Sequence, residues 1–199
     1  MPDKFAGLWM DVQIWPHAAP CINKEKAMAA YTFTLIFTLP KGQKDPEKWV
    51  GALGAGGCDD ALVGIGVTGR IALNFIREAD TAEDALLSAL KDVSGIIPGA
   101  LLAEAAPDLV GLSDVAELLG VSRQYIRKIM VSREAFPAPV HDGKTALWNL
   151  EAVLRWMNSS GVKAIPSPLL DIAKVTRQCN LHRAMADLNP AFQTKLKNL

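Results

Sequence analysis

Apolar and polar positions alternate along residues 31–39, YTFTLIFTL, and aromatic and β-branched side chains dominate the run. A period of two with these residue types predicts a strand. Pro40, Lys41 and Gly42 end it. Asp45 followed by Pro46 reads as a helix start, an N-cap with proline in the first helical position. Trp49, Val50 and Leu53 give that helix one apolar face, and Gly54, Gly56 and Gly57 stop it. Residues 61–67 and 70–75 read as two strands around a turn at Thr68-Gly69. The spacing then becomes helical. Asp80 or Thr81 caps a segment in which Leu86, Ala89, Leu90 and Val93 recur, with Glu83 and Asp84 in its first turn. Pro98-Gly99 breaks it, and residues 100–105 form a fourth strand.

The order is therefore strand, helix, strand, strand, helix, strand. It predicts a split βαβ, ferredoxin-like unit over residues 30–106: one antiparallel sheet with two helices on one face. Pro107-Asp108 marks a hinge into the next unit. The whole chain is expected to be α+β, with this unit followed by a winged helix-turn-helix over residues 107–158 and a helical tail over 159–199. Residues 1–29 show no clear periodicity. They read as an extension, with residues 1–27 upstream of a second start at Met28; a short ordered arm is the alternative.

Residues 112–130, LSDVAELLGVSRQYIRKIM, carry the most specific pattern. Ser113 caps a helix running to about Leu119, with Val115, Ala116, Leu118 and Leu119 as its apolar stripe. Gly120 ends it, since glycine reaches the left-handed conformation at little cost. Val121 plugs the turn and Ser122 caps a second helix. Ile126, Ile129 and Met130 of that helix point inward. Arg123, Gln124, Arg127, Lys128 and Val131 are left outward, with Tyr125 at the margin. Two short helices around a tight turn place the second in the major groove of DNA. Arginine can pair with both acceptors of guanine, and glutamine with adenine. Lys128, Ser122 and Tyr125 suit phosphates, which set register without reading sequence. The bland alternative is a helical hairpin with a solvated basic face.

Residues 136–158 support the sharper reading. Residues 136–140, FPAPV, are extended, His141-Asp142-Gly143-Lys144 is a hairpin turn, and residues 145–148 return as a strand. Asn149 caps a third helix with Leu150, Val153, Leu154 and Trp156 on its apolar face. Helix, turn, helix, wing, helix puts Lys144 at a wing tip beside the DNA backbone, with His141 read as an exposed turn residue.

On LSDVAELLGVSRQYIRKI, FPAPV, GKTALW and LEAVLRW, residues 108–156 resemble the MerR-like or AlpA-like helix-turn-helix family of bacterial and phage regulators. The resemblance covers about a quarter of the chain. It implies a transcriptional regulator or, in the phage branch, an excisionase-type accessory factor. It brings no ligand. MerR regulators place the winged helix first and a coiled coil after it, whereas here the winged helix comes late and the tail is short. Effector chemistry such as metal binding through cysteines therefore does not carry over.

Charge sharpens this picture. The chain has 21 Lys+Arg and 21 Asp+Glu, a net of zero, but they are unevenly placed. Residues 30–108 hold 6 basic and 11 acidic groups, a net of −5, and residues 161–199 hold 6 and 2, a net of +4. An acidic front followed by a basic back fits a DNA-binding module attached to another unit. In the tail, Ser167-Pro168 starts a helix that continues to Leu188. Its stripe of Ile172, Val175, Cys179, Leu181, Met185 and Leu188 serves either as a dimer seam or as a face packed on its own chain.

Other chemistry is weaker. Gly64, Gly66 and Gly69 have dinucleotide-fingerprint spacing, but a strand follows them and not a helix. Cys179 with His182, and His17 with Cys21, make a poor zinc set because they lie at opposite ends of the chain. Three scattered histidines support no catalytic triad. Three scattered cysteines form no disulfide framework, and no apolar run spans a bilayer, so a cytoplasmic location is expected. The sequence thus points to a non-enzymatic, cofactor-free regulator that binds double-stranded DNA, forms a homodimer and uses its front unit for self-association or sensing. The alternative is an adaptor or antitoxin-like protein that binds a protein partner through residues 30–106, its DNA binding being autoregulatory.

Overall fold

The computed structural model describes residues 28–198 apart from Lys44 and Asp187. The expected N-terminal extension, and with it His17 and Cys21, lies outside the described residues. The chain is α+β, with a four-stranded antiparallel sheet, a second small sheet and, among the described residues, seven helices.

The first part contains β1 (Ala29–Thr38), α1 (Glu47–Ala55), β2 (Ala61–Gly64), β3 (Arg70–Ala79), α2 (Ala82–Ile96) and β4 (Leu101–Ala106). The strand order is β2-β3-β1-β4, with every neighbouring pair antiparallel. Alternation along β1 and β3 decides which face is buried. Tyr31, Phe33, Leu35 and Phe37 of β1 and Ile71, Leu73 and Phe75 of β3 are almost fully buried, and Phe33 stacks on its register partner Phe75 at 5.2 Å between ring centroids. Leu53 of α1 and Ala85, Leu86, Ala89 and Val93 of α2 cover this face.

Strand limits differ from the expected ones. β3 runs on to Ala79 because Ile76–Ala79 continue to pair along β1, and β2 stops at Gly64 because the chain then turns back, Arg70 N donating to Val67 O at 3.0 Å. Asp45 does cap α1 chemically, its Oδ1 accepting from Glu47 N at 3.1 Å, but the helix begins one residue after Pro46.

The second core is built from β5 (Leu109–Val110), α3 (Leu112–Leu118), α4 (Arg123–Ser132), β6 (Trp148–Asn149) and α5 (Leu150–Ser159). The returning strand of the expected wing is shorter than its alternation suggested. Trp148 and Asn149 pair with β5, and the loop is bridged at Leu147 alone, which bonds to Val140 and His141. Pro137 and Pro139 have no N–H to extend that ladder. Instead Trp148 Nε1 donates to Pro137 O at 3.1 Å, and Phe136 sets its ring edge-on to Trp156 at 5.1 Å.

α6 (Ser167–Met185) joins the two cores. Ile172 and Val175 enter the first and Ala173 the second. It is a third helix on the sheet, beside β1 and β4, where two were expected. The expected hinge at Pro107-Asp108 is pinned. Thr176 Oγ1 donates to Pro107 O at 2.6 Å, and Asp108 accepts from Asn149 Nδ2 at 2.7 Å and from Asn180 Nδ2 at 2.8 Å. The tail stripe divides: Ile172 and Val175 are buried in their own chain, whereas Leu181, Met185 and Leu188 are exposed. The helix expected to reach Leu188 ends at Met185, and α7 (Pro190–Leu196) follows with no buried residue.

Candidate nucleic-acid interface

The turn between α3 and α4 fixes the second helix. Gly120 has φ +62°, a left-handed conformation that side chains with a Cβ resist. Gly120 N donates to Glu117 O at 3.1 Å and Val121 N to Ala116 O at 2.9 Å, closing the end of α3. Ser122 then caps α4, its Oγ accepting from Tyr125 N at 3.2 Å. Ser113 is not the cap of α3. Gly111 holds that position, and its N–H donates to Asp114 Oδ2 at 2.7 Å, so an acidic side chain within the first turn replaces the expected hydroxyl.

Ile126 and Ile129 are buried and hold α4 down, while Met130 is only half-buried. Ser122, Arg123, Gln124, Tyr125, Arg127 and Lys128 are all exposed, and so are Lys144 and Val131. Neither the acidic first part nor the tail masks them. Among the described residues, no ion pair engages Arg123, Arg127, Lys128 or Lys144. On α5 and α6, by contrast, basic side chains are engaged: Arg155 pairs with Glu151, and Arg177 Nη1 reaches Glu151 at 2.7 Å.

The structure brings Arg123 and Lys144 together. Both line a surface cavity of about 340 Å³ with Ser113, Asp114, Thr145 and Trp148. The loop carrying Lys144 is compact at Gly143, where an added Cβ would lie 2.5 Å from His141 Nε2. His141 therefore packs over its own turn. The cavity is lined by two cations, two hydroxyls and one capping carboxylate, a setting suited to an anionic backbone beside the exposed face of α4.

Sequence reasoning missed the residues that orient this surface. Asn149, besides capping α5 by accepting from Ala152 N at 3.2 Å, ties α5 to Asp108. Thr176, Arg177 and Asn180 anchor α6 across both cores. Their partners lie far away in sequence and follow no period. α7 did leave a signal, Asn189-Pro190: Asn189 Oδ1 accepts from Ala191 N at 3.0 Å. No helix among the described residues is long and apolar enough to cross a membrane. Comparison of the chain with protein-family models, curated proteins and solved structures finds no match.

Proposed function

We propose that this chain is a cytoplasmic DNA-binding transcriptional regulator without enzymatic activity. In this reading residues 107–158 are a winged helix-turn-helix whose α4 enters the major groove, and residues 30–106 are a ferredoxin-like unit for self-association or sensing. Arg123, Gln124 and Arg127 read base edges, and Ser122, Tyr125, Lys128 and Lys144 hold phosphates. One observation carries the reading. A helix capped by Ser122 and set by the Gly120 turn presents exposed Arg123, Arg127 and Lys128, none with a carboxylate partner among the described residues. The strand order β2-β3-β1-β4 supports the ferredoxin-like assignment of the first part.

Gel shift against genomic fragments tests the proposal. Arg127→Ala should lose at least about fivefold in affinity at unchanged thermal stability, since a bidentate base contact contributes about 1–3 kcal/mol. Equal affinity of this variant and the wild type for every fragment would overturn it. Binding of the wild type should also fall steeply with salt. An adaptor reading is favoured by the sheet face opposite the helices, where Leu62 and Ile76 are exposed, and co-purification of a stoichiometric partner lost with changes on that face would establish it.

A further inference from the structure

The sheet face opposite the helices carries apolar groups in the open. Leu62 on β2 is 78% exposed and Ile76 on β3 is 62% exposed. Along β3 the outward positions are Arg70, Ala72, Asn74, Ile76 and Glu78. About Asn74 this series is complementary to its own reverse: a cation answers an anion, and a small side chain answers a large one. A two-fold axis lying between two facing sheets, and crossing the strands at Asn74, reverses strand direction while keeping strand order. It sets Arg70 against Glu78 of a second copy and Ala72 against Ile76 of a second copy. Leu62 is the register partner of Asn74, so it meets its own symmetry mate on the axis.

A hollow of about 250 Å³ opens on this face between Ile36, Gly64, Val67, Arg70 and Ala72. It exists because Gly64 and Ala72, paired directly across the two strands, are both small. Ile76 of a second copy arrives over that hollow. Aligned sheets cross at about 30°, which offsets the strand ends by roughly 7 Å over the four residues from Asn74 to either charge. Arginine and glutamate are long enough to span that offset across the roughly 10 Å gap between packed sheets.

We infer that this sheet face joins two copies of the chain about that axis. The inference rests on reading residues 30–106 as a self-association unit and not on DNA recognition. The footprint, roughly 30 by 15 Å from strand length and spacing, is small for a dimer interface, so the pair should dissociate on dilution.

Sedimentation equilibrium of the full chain from about 1 to 100 μM tests it. The wild type should dimerise. Arg70→Glu alone and Glu78→Arg alone should each weaken the dimer at least about tenfold, because each creates two like-charge pairs. An equimolar mixture of the two variants should restore it, since a heterodimer of them pairs opposite charges at both ends. That rescue also shows that each variant folds. A wild type that stays monomeric overturns the inference, whether the face is bare or covered by residues 1–27. So do single reversals that dimerise like the wild type, or a dimer dissolved by Leu181→Asp and Met185→Asp and not by the reversals. A monomer that still shifts DNA leaves the proposed function standing, and a dimer that shifts none does the reverse.

Discussion

Asn180 on α6 grips the backbone of Ala105 on β4 from both sides, donating through Nδ2 to its carbonyl oxygen at 2.7 Å and accepting at Oδ1 from its amide at 2.8 Å. β4 ends the sheet, so this side chain satisfies the groups that a further strand would have paired. Ala105 is fully buried beneath it. Asn180→Ala should cost about 2–3 kcal/mol by chemical denaturation, reflecting two buried groups left unpaired. Asn180→Asp should cost more, because an oxygen then faces both the Ala105 carbonyl and the Asp108 carboxylate, to which Nδ2 now donates at 2.8 Å. Equal stability of Asp and Ala variants would remove Asp108 from this account.

Arg77 closes the other end of the first core. Its guanidinium reaches Asp60 at 2.7 and 2.9 Å, Asp92 at 2.7 Å and Gly57 O at 2.7 Å, and lies 4.8 Å from the Phe75 ring centroid. The side chain is only 10% exposed, so its two acidic neighbours depend on it. Arg77→Met should destabilise by about 1.5–3 kcal/mol, since the partly exposed Asp60 and Asp92 lose their charged hydrogen-bond donor. Arg77→Lys should recover part of that, keeping the charge without the planar fork. Urea unfolding of the three proteins orders them; a lysine variant no better than methionine would show that the fork, and not the charge, matters.

Neither anchor was legible in the sequence, although much around them was. The expected order of strands and helices in residues 30–106 followed from local alternation, and the turn at Gly120 with its cap at Ser122 followed from residues three or four apart. Such signals are local, so one sequence carries them. Asn180 and Ala105 are 75 positions apart, and Thr176 and Pro107 are 69 apart. Nothing in a 3.6-residue period says which polar residue of a helix will meet an edge strand. The same gap hid the third helix on the sheet and turned an expected hinge at Asp108 into a fixed junction. Trp148 read as part of a wing strand because alternation cannot reveal that its partner is Val110 of β5 and not the proline-bearing segment 136–140.

At the candidate interface, Lys144 and Arg123 separate phosphate holding from base reading. Lys144→Ala should weaken binding by a similar factor on every fragment and lower the salt slope by about one. Arg123→Ala should weaken some fragments more than others. Fluorescence anisotropy at several salt concentrations, on a tight and a weak fragment, distinguishes them. Identical behaviour of the two variants would mean that α4 holds the backbone only.

Alkaline pH probes the buried thiol of Cys58, which is 1% exposed beside the Arg77 cluster. Burial first, and the Asp92 carboxylate second, push that thiol from 9.0 up to about 11. In the unfolded chain it ionises near its ordinary value, and in the folded chain it keeps its proton to about pH 11. The unfolded state therefore binds fewer protons across this window, and stability must fall as pH rises through it. The protonated thiol's contribution is complete below pH 9 and is lost progressively toward pH 11. Other groups titrate there too, so the informative quantity is a difference. Urea unfolding at intervals from neutral to alkaline pH should show wild type losing stability faster than Cys58→Ala, with the two running parallel at lower pH. Parallel curves throughout would mean that the folded chain lets the thiol ionise as readily as the unfolded one.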